Sequence, residues 1–284
     1  MGQILKTVNS NVKVDMHIHT AASDGTWHPD RLVTELIGKE INVFSVTDHD
    51  SVENTIRVKK LADDAGLLFI PGVEVTASFN NCTYHILGYG IDINNKPLHS
   101  LLESNTALME EKDEESIKYL EKRDYKVSLS EYHAYENLRE RGGWKALNYL
   151  LDKGLCSNFK DFFALFTGWG NPFNKMTFHS PEEVAKTILV AGGIPVLAHP
   201  QAPFYEGEYK STIAFMLEQG VKGLECFHPE NSPECTDYCL QICRDKNLLI
   251  TGGSDCHGEF ASKRFLGFPE IHIRDLELCS LLKV

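Results

Sequence analysis

Short apolar, β-rich runs alternate with amphipathic helical segments along most of this chain, and that alternation limits the fold more than any other feature. The β-rich runs cover 12–18, 41–46, 67–75, 84–89, 193–198, 223–227 and 248–251, while helical periodicity marks 28–39, 51–65, 180–191, 210–219 and 233–246. Strands separated by helices predict a parallel sheet with helical crossovers. About seven such strands suit a closed or nearly closed α/β barrel better than a small open sheet. Between 96 and 177 the pattern changes to charged and aromatic helical segments with no strand signal. The expected organisation is therefore a barrel built from 1–95 and 178–284, with a helical insertion, 96–177, covering its mouth. A length of 284 residues accommodates such a barrel as one large domain.

Composition narrows the function classes. With 42% hydrophobic and 24% charged residues the chain is an ordinary globular sequence with a sizeable core. Its formal net charge of −12 argues against an extended nucleic-acid surface or a grip on anionic lipid. A small phosphorylated substrate, or a short oligonucleotide with few phosphates, stays within reach if bound cations reverse the local field. The first residues lack the pattern of a secretory leader, Lys6 stands where a myristoylation signal needs Ser or Thr, and no apolar stretch has membrane-spanning length. A cytoplasmic location is expected. The eight cysteines contain no C-x-x-C pair and read as reduced thiols; Cys235, Cys239 and Cys243 form an apolar helical stripe.

Chemistry concentrates at the strand ends. His17 and His19 close the first strand and, two residues apart, point to the same side, where they can share one cation. The same placement recurs: Asp48-His49-Asp50 after the second strand, Glu74 at the end of the third, His85 in the fourth, His199 after the fifth, and Asp255 with His257 after the last. In a parallel barrel the carboxyl ends converge on one face, so these side chains gather into one site. Imidazole mixed with carboxylate suits manganese, iron or zinc better than magnesium or calcium. The donors outnumber the needs of one ion, and a carboxylate such as Glu74 can bridge two, so two or three divalent transition metals are expected.

HIHTAASDGTWHP, SVTDHDSV, PGVEVTA, YHILGYGID, LAHP and GGSDCHG, in that order, resemble the motifs of the PHP (polymerase and histidinol phosphatase) family over roughly 12–95 and 178–270. Within it the chain is most similar to small bacterial phosphoesterases acting on nucleoside 3′,5′-bisphosphates and short oligonucleotides. The resemblance implies a distorted seven-stranded (β/α) barrel with a trinuclear metal site. It places His17, His19, Glu74 and Asp255 on a first metal, Glu74, His85 and His199 on a second, and Asp24, His49 and His257 on a third.

The expected activity is hydrolysis of a small organic phosphate, a nucleotide or nucleoside bisphosphate, by a hydroxide bridging two metals. Asp48 and His228 are the candidates for proton transfer or for orienting the ligands, and Lys145 and Arg264 for contacting phosphate. An Arg-x-His-like stretch common in nucleotide-processing relatives is replaced here by Arg141-Gly142-Gly143-Trp144-Lys145, and the Ala-His-Pro motif runs into Gln201 where relatives often carry a basic residue. Trp144 and Phe173 offer rings for a base, although such residues in a helical segment usually form its core. Two alternatives remain: a histidinol-phosphate phosphatase using the same metals, and a non-catalytic metal-binding module, which would tolerate the loss of ligands that are all present.

Overall fold

The computed structural model describes residues 10–205, 207–278 and 281; the part of the amino-terminal reading that concerns 1–9 lies outside the described residues. The strands are β1 (Lys13–Asp15), β2 (Ile41–Val46), β3 (Leu68–Phe79), β4 (Cys82–Tyr89), β5 (Ile194–Leu197), β6 (Gly223–Phe227), β7 (Leu249–Gly252) and β8 (Ile271–His272), in the spatial order β7-β6-β5-β4-β3-β2-β1-β8. Between them lie α1 (Pro29–Gly38), α2 (Thr55–Ala65), α7 (Pro181–Val190), α8 (Tyr209–Glu218) and α9 (Pro233–Lys246). The sheet closes where β1 runs on beside the end of β7: the Met16 amide donates to the Gly252 carbonyl at 3.1 Å, and Ile18 forms a parallel bridge with Cys256. The closing point needs glycine, because a Cβ on Gly253 would stand 2.3 Å from the His17 nitrogen. The result is a distorted, nearly closed α/β barrel.

Two features depart from an all-parallel, seven-strand expectation. A two-residue strand, β8, adds antiparallel to β1. More consequentially, β3 and β4 form a hairpin turning at Asn80 and Asn81, both at positive φ, so β4 runs antiparallel to β3 and to β5. A two-residue connection leaves no room for a crossover, and Asn tolerates the left-handed turn. The alternation pattern did not show this because it ended one run at 75 and began the next at 84, whereas the strands continue through 76–79 and 82–83 to a two-residue turn.

Helix ends follow local chemistry. Ser180 and Glu183 form a reciprocal capping box at α7, Ser232 caps α9 through the Cys235 amide, and Asn247 ends α9 in the left-handed conformation. Outside the barrel wall, Val73, Val75, Ile86, Leu197, Leu224 and Cys226 pack with Cys235, Cys239 and Cys243 of α9 in one core. On the opposite sheet face, Val43, Ile70, Leu87, Tyr89, Val196 and Leu249 form a second apolar layer on which the polar site rests. Residues 96–177 contribute α3 (Lys96–Glu121), α4 (Leu129–Ala134), α5 (Lys145–Asp152) and α6 (Phe159–Ala164), with a core of their own that includes Ile117, Tyr132, Leu147 and Phe162. These helices meet the barrel at defined points. Asn105 of α3 donates to Asp50 and to the Thr76 carbonyl, both at 2.7 Å, and the Gly143 amide donates to the Asp24 carbonyl at 2.8 Å. No described helix is long and apolar enough to cross a membrane.

Candidate metal centre

Each site residue is delivered by a strand or by the turn that follows it. His17 and His19 leave β1, His49 leaves β2 and bridges to Glu74 within β3, and His199 follows β5. Asp255 and His257 follow β7. His85 enters from the reversed strand: Glu74 pairs with Leu87, so His85, two residues before Leu87, lies diagonally beside Glu74 on the same face. Asp24 sits in a turn that Asp48 fastens, accepting from the Thr20 amide at 2.7 Å, the Thr20 hydroxyl at 2.6 Å and the Ser23 hydroxyl at 2.7 Å.

Three groups of donor atoms, each mutually within 4.8 Å, are able to hold a divalent cation: His17, His19, Glu74 and Asp255; His49, Glu74 and His85; and His19, Asp24, His49 and His257. Glu74 belongs to the first two, with one oxygen 3.1 Å from His17 Nε2 and 3.2 Å from His19 Nε2 and the other 3.1 Å from His85 Nδ1. His199 stands with this second group, its Nε2 2.9 Å from Glu74 and 3.3 Å from His85 Nδ1. Two memberships differ from the sequence-based partition: His19 also faces the third group, and His49 also faces Glu74. Both rings lie at the centre of the cluster, 4.6 Å apart, so a one-residue, one-ion assignment is too coarse for them.

The electrostatics show what the groups lack. Burial drives His17 toward neutrality, but Glu225, Asp255 and Glu74 outweigh it and hold its pKa well above the ordinary imidazole value. The same contest raises His19 to about 10, whereas burial pushes His49 down to about 3 against Glu74 and Asp24. Burial pulls Glu74, Asp24 and Asp255 upward, but the surrounding imidazoles, joined at Asp255 by Arg264, hold all three below the usual carboxylate range. Protons on histidine thus stand in for missing positive charge.

The donor set fits a cation on independent grounds. Asp15, Asp48, Asp50, Glu74, Glu225 and Asp255 are all buried, and among the described residues Arg264, paired to Asp255, is the permanent cation in contact with them. Such an excess of buried carboxylate needs compensation. His19 Nδ1, His199 Nδ1 and Asp255 Oδ1 are buried without a hydrogen-bond partner, and His17 Nε2 faces His19 Nε2 at 3.1 Å although the neighbouring carboxylates favour protonating both. Backbone strain gathers here as well: Asp50, His199 and Asp255 occupy positive φ at 46°, 27° and 51°, where non-glycine residues are uncommon.

Around the donors, one residue escaped the sequence reading. Glu225 of β6 is fully buried, with Oε1 2.9 Å from His17 Nδ1 and Oε2 accepting the His199 amide at 2.7 Å. A carboxylate on the far nitrogen of a metal-facing imidazole fixes its tautomer and orientation. Its signal was a lone glutamate inside the apolar strand Gly-Leu-Glu-Cys-Phe. Asp15 acts similarly on the loops, accepting from the Ser254 and Gly267 amides, both at 2.9 Å.

The remaining candidates divide by position. His228 is buried; its Nδ1 accepts the Glu230 amide at 3.1 Å, which leaves Nε2–H to donate to Asp255 at 3.2 Å. Arg264 reaches Asp255 and, at 3.0 Å, Glu230. Asp48 has its oxygens occupied by the 20–24 turn. Lys145 is engaged within the helical segment, its amine 3.4 Å from the His133 carbonyl and 4.8 Å from the Tyr132 ring. Trp144 and Phe173 pack edge to face at 5.4 Å with the buried Lys112 amine against both rings. His28, His99, His133, His179 and His272 pair with acidic side chains or a carbonyl elsewhere.

Comparison with known proteins adds relatives to this geometry. The family description "PHP domain" matches residues 15–154. A 5′-3′ exoribonuclease of Haemophilus influenzae is 27% identical over 86% of this chain and 90% of its own. A 3′,5′-nucleoside bisphosphate phosphatase of Chromobacterium violaceum is 26% identical over 90% of this chain and 91% of its own. Among solved structures, a Bifidobacterium adolescentis protein classed as a metal-dependent phosphoesterase superimposes with a TM-score of 0.78 at 26% identity, covering 94% of this chain and 95% of that one.

Proposed function

We propose that this chain, whose residues 15–154 match the PHP domain, is a metal-dependent phosphoesterase of that family and cleaves the phosphate ester of a nucleotide, a nucleoside bisphosphate or the end of a short oligonucleotide. The observation that carries the reading is the convergence of three donor groups at the mouth of the barrel, two of them sharing the carboxylate of Glu74. His17, His19, Glu74 and Asp255 would hold one manganese, iron or zinc ion, Glu74, His85 and His199 a second, and Asp24, His49 and His257 a third. When bound, such ions neutralise phosphoryl oxygens and acidify water.

The chain's own residues do the positioning. Glu225 locks the His17 ring and the His199 backbone in register, so two donors on different strands keep one geometry. Asp48 holds the turn that presents Asp24. His228, donating from Nε2 next to Asp255, is placed to hand a proton to a departing oxygen, and Arg264 beside it to meet phosphate. Residues 96–177, tied to the barrel through Asn105 and Gly143, form the cover over the mouth.

Phosphate release should be followed from a nucleoside 3′,5′-bisphosphate, histidinol phosphate and an aryl phosphate, and cleavage of a dinucleotide to nucleoside and nucleotide by chromatography, with manganese-loaded and chelator-treated protein; in the order bisphosphate, dinucleotide, histidinol phosphate, aryl phosphate the panel runs from the proposed substrates to the controls. Metal-dependent turnover strongest on the first two is the expected result. Preference for histidinol phosphate would replace the nucleotide reading, and bound metal without turnover on any substrate would favour a binding module.

A further inference from the structure

The loop after β5 presents a phenylalanine at the rim of the metal centre that the chemistry above does not use. Ala202 and Tyr205 are buried at 4% and 6% exposure, yet Phe204 between them is 40% exposed. The loop is firmly built. The Tyr205 hydroxyl donates to the Ala198 carbonyl at 3.2 Å and accepts the His85 amide at 3.1 Å, the Ala202 amide donates to the His199 carbonyl at 2.8 Å, and Gln201 accepts the Ser232 amide at 2.7 Å. Its exposed ring is therefore held in place by the backbone on either side.

That ring touches the candidate ligands themselves. Its centroid lies 5.2 Å from His85 and 5.5 Å from His199, at interplanar angles of 50° and 71°, and 4.9 Å from Tyr205 at 79°. All three neighbours meet it at a steep tilt, so none of them stacks parallel on its face. The other exposed phenylalanines have different surroundings. Phe265 and Phe268 share a depression with Lys13, Val14 and Ile41, where β1 and β2 begin, and Phe79 packs on Phe215 at 4.9 Å. Phe159 stacks on Trp144 in the helical segment, and Phe163 meets Phe162 edge to face at 5.3 Å.

We propose that Phe204 is a specificity-determining residue that stacks on the planar base of the substrate while the phosphate ester sits over Glu74. The inference rests on the nucleotide reading above and gives it a recognition element. The Phe204 ring meets two candidate metal ligands at a steep tilt and keeps part of its surface open, so a planar ligand seated at the centre would lie against it. A base supplies a flat apolar face, and stacking tolerates any base identity, as suits an enzyme that recognises nucleotides through phosphate and ring.

The test uses the full-length, manganese-loaded protein and two probes that share a sugar phosphate but differ in the base, adenosine 5′-phosphate and ribose 5-phosphate. Binding is measured by calorimetry, and turnover is measured for adenosine 3′,5′-bisphosphate against ribose 5-phosphate, for the parent and for Phe204→Ala, Phe204→Leu and Phe204→Trp. We expect the Ala and Leu variants to lose about 5- to 150-fold of the preference for the base-bearing probe, mainly through KM and the dissociation constant, with Trp restoring it. A preference unchanged in Ala and Leu, or both probes weakened equally, would overturn the role of Phe204 while leaving the nucleotide reading intact. If the parent hydrolyses ribose 5-phosphate and not the bisphosphate, the nucleotide reading fails and this inference with it. Metal content of each variant, measured in parallel, separates a stacking loss from damage to His85 or His199.

Discussion

Glu225→Gln keeps the shape of the site and alters its hydrogen bonding. The carboxylate accepts from two donors, His17 Nδ1 at 2.9 Å and the His199 amide at 2.7 Å, with no exposure to water. Glutamine offers one oxygen and one NH2 group, so whichever way the amide is turned, one of those donors meets another donor. A buried charge-assisted hydrogen bond is lost and a donor is left unpaired, at about 1–3 kcal/mol. Disturbed support of a metal-facing imidazole typically weakens metal affinity or activity about 10- to 100-fold, or about 1.4–2.7 kcal/mol, so the two estimates agree. The loss should fall on the ions held by His17 and His199 and spare the group of Asp24, His49 and His257. Manganese titration of the chelated variant, with metal content after dialysis, should show the weakened sites alongside one of near-parental affinity, and saturating manganese should recover much of the activity. Parental affinity at every site would refute the claim that Glu225 sets the geometry of His17 and His199.

Other consequences are checked more briefly. Glu74→Gln removes the carboxylate shared by two donor groups, so metal stoichiometry should fall and activity should drop by more than the about 10- to 100-fold typical of losing an outer partner of a ligand; full metal content with normal turnover would contradict the assignment. Because carboxylates hold His17 well above the ordinary imidazole value and raise His19 to about 10, both carry protons at pH 7 in the metal-free protein. Their ion-pair contribution to stability is full below about 6.5 and is lost as pH rises toward 10. Metal must displace these protons, so affinity should rise with pH above neutrality, and calorimetry in buffers of different ionisation enthalpy should detect about two protons released. Ions that bind only the folded chain should raise its melting temperature by about 5–10 °C at a hundredfold excess over Kd, and chelation should reverse the shift. The seven described cysteines are all buried, so none of these should react quickly with a thiol reagent in the native protein, whereas guanidinium should expose them.

Much of this protein is legible from its sequence because strand and helix periods are local. Seven strands and five flanking helices fall within a few residues of where apolar patterning puts them, as in β2 at Ile41–Val46 and α9 at Pro233–Lys246. The metal-facing side chains are also readable, since a histidine or carboxylate at the end of an apolar strand has few structural reasons to be there. Tertiary structure decided the rest. The two-residue turn at Asn80–Asn81 reversed β4, and only the register of the hairpin brought His85 diagonally onto Glu74. The sharing of His19 and His49 between groups comes from through-space distances that no spacing along the chain records. Glu225 was hidden for the same reason: a strand-interior carboxylate is interpretable only once His17, more than two hundred residues away, is seen to lie against it. Residue type and period are properties of the chain, whereas which buried charge faces which imidazole is set by how the barrel closes.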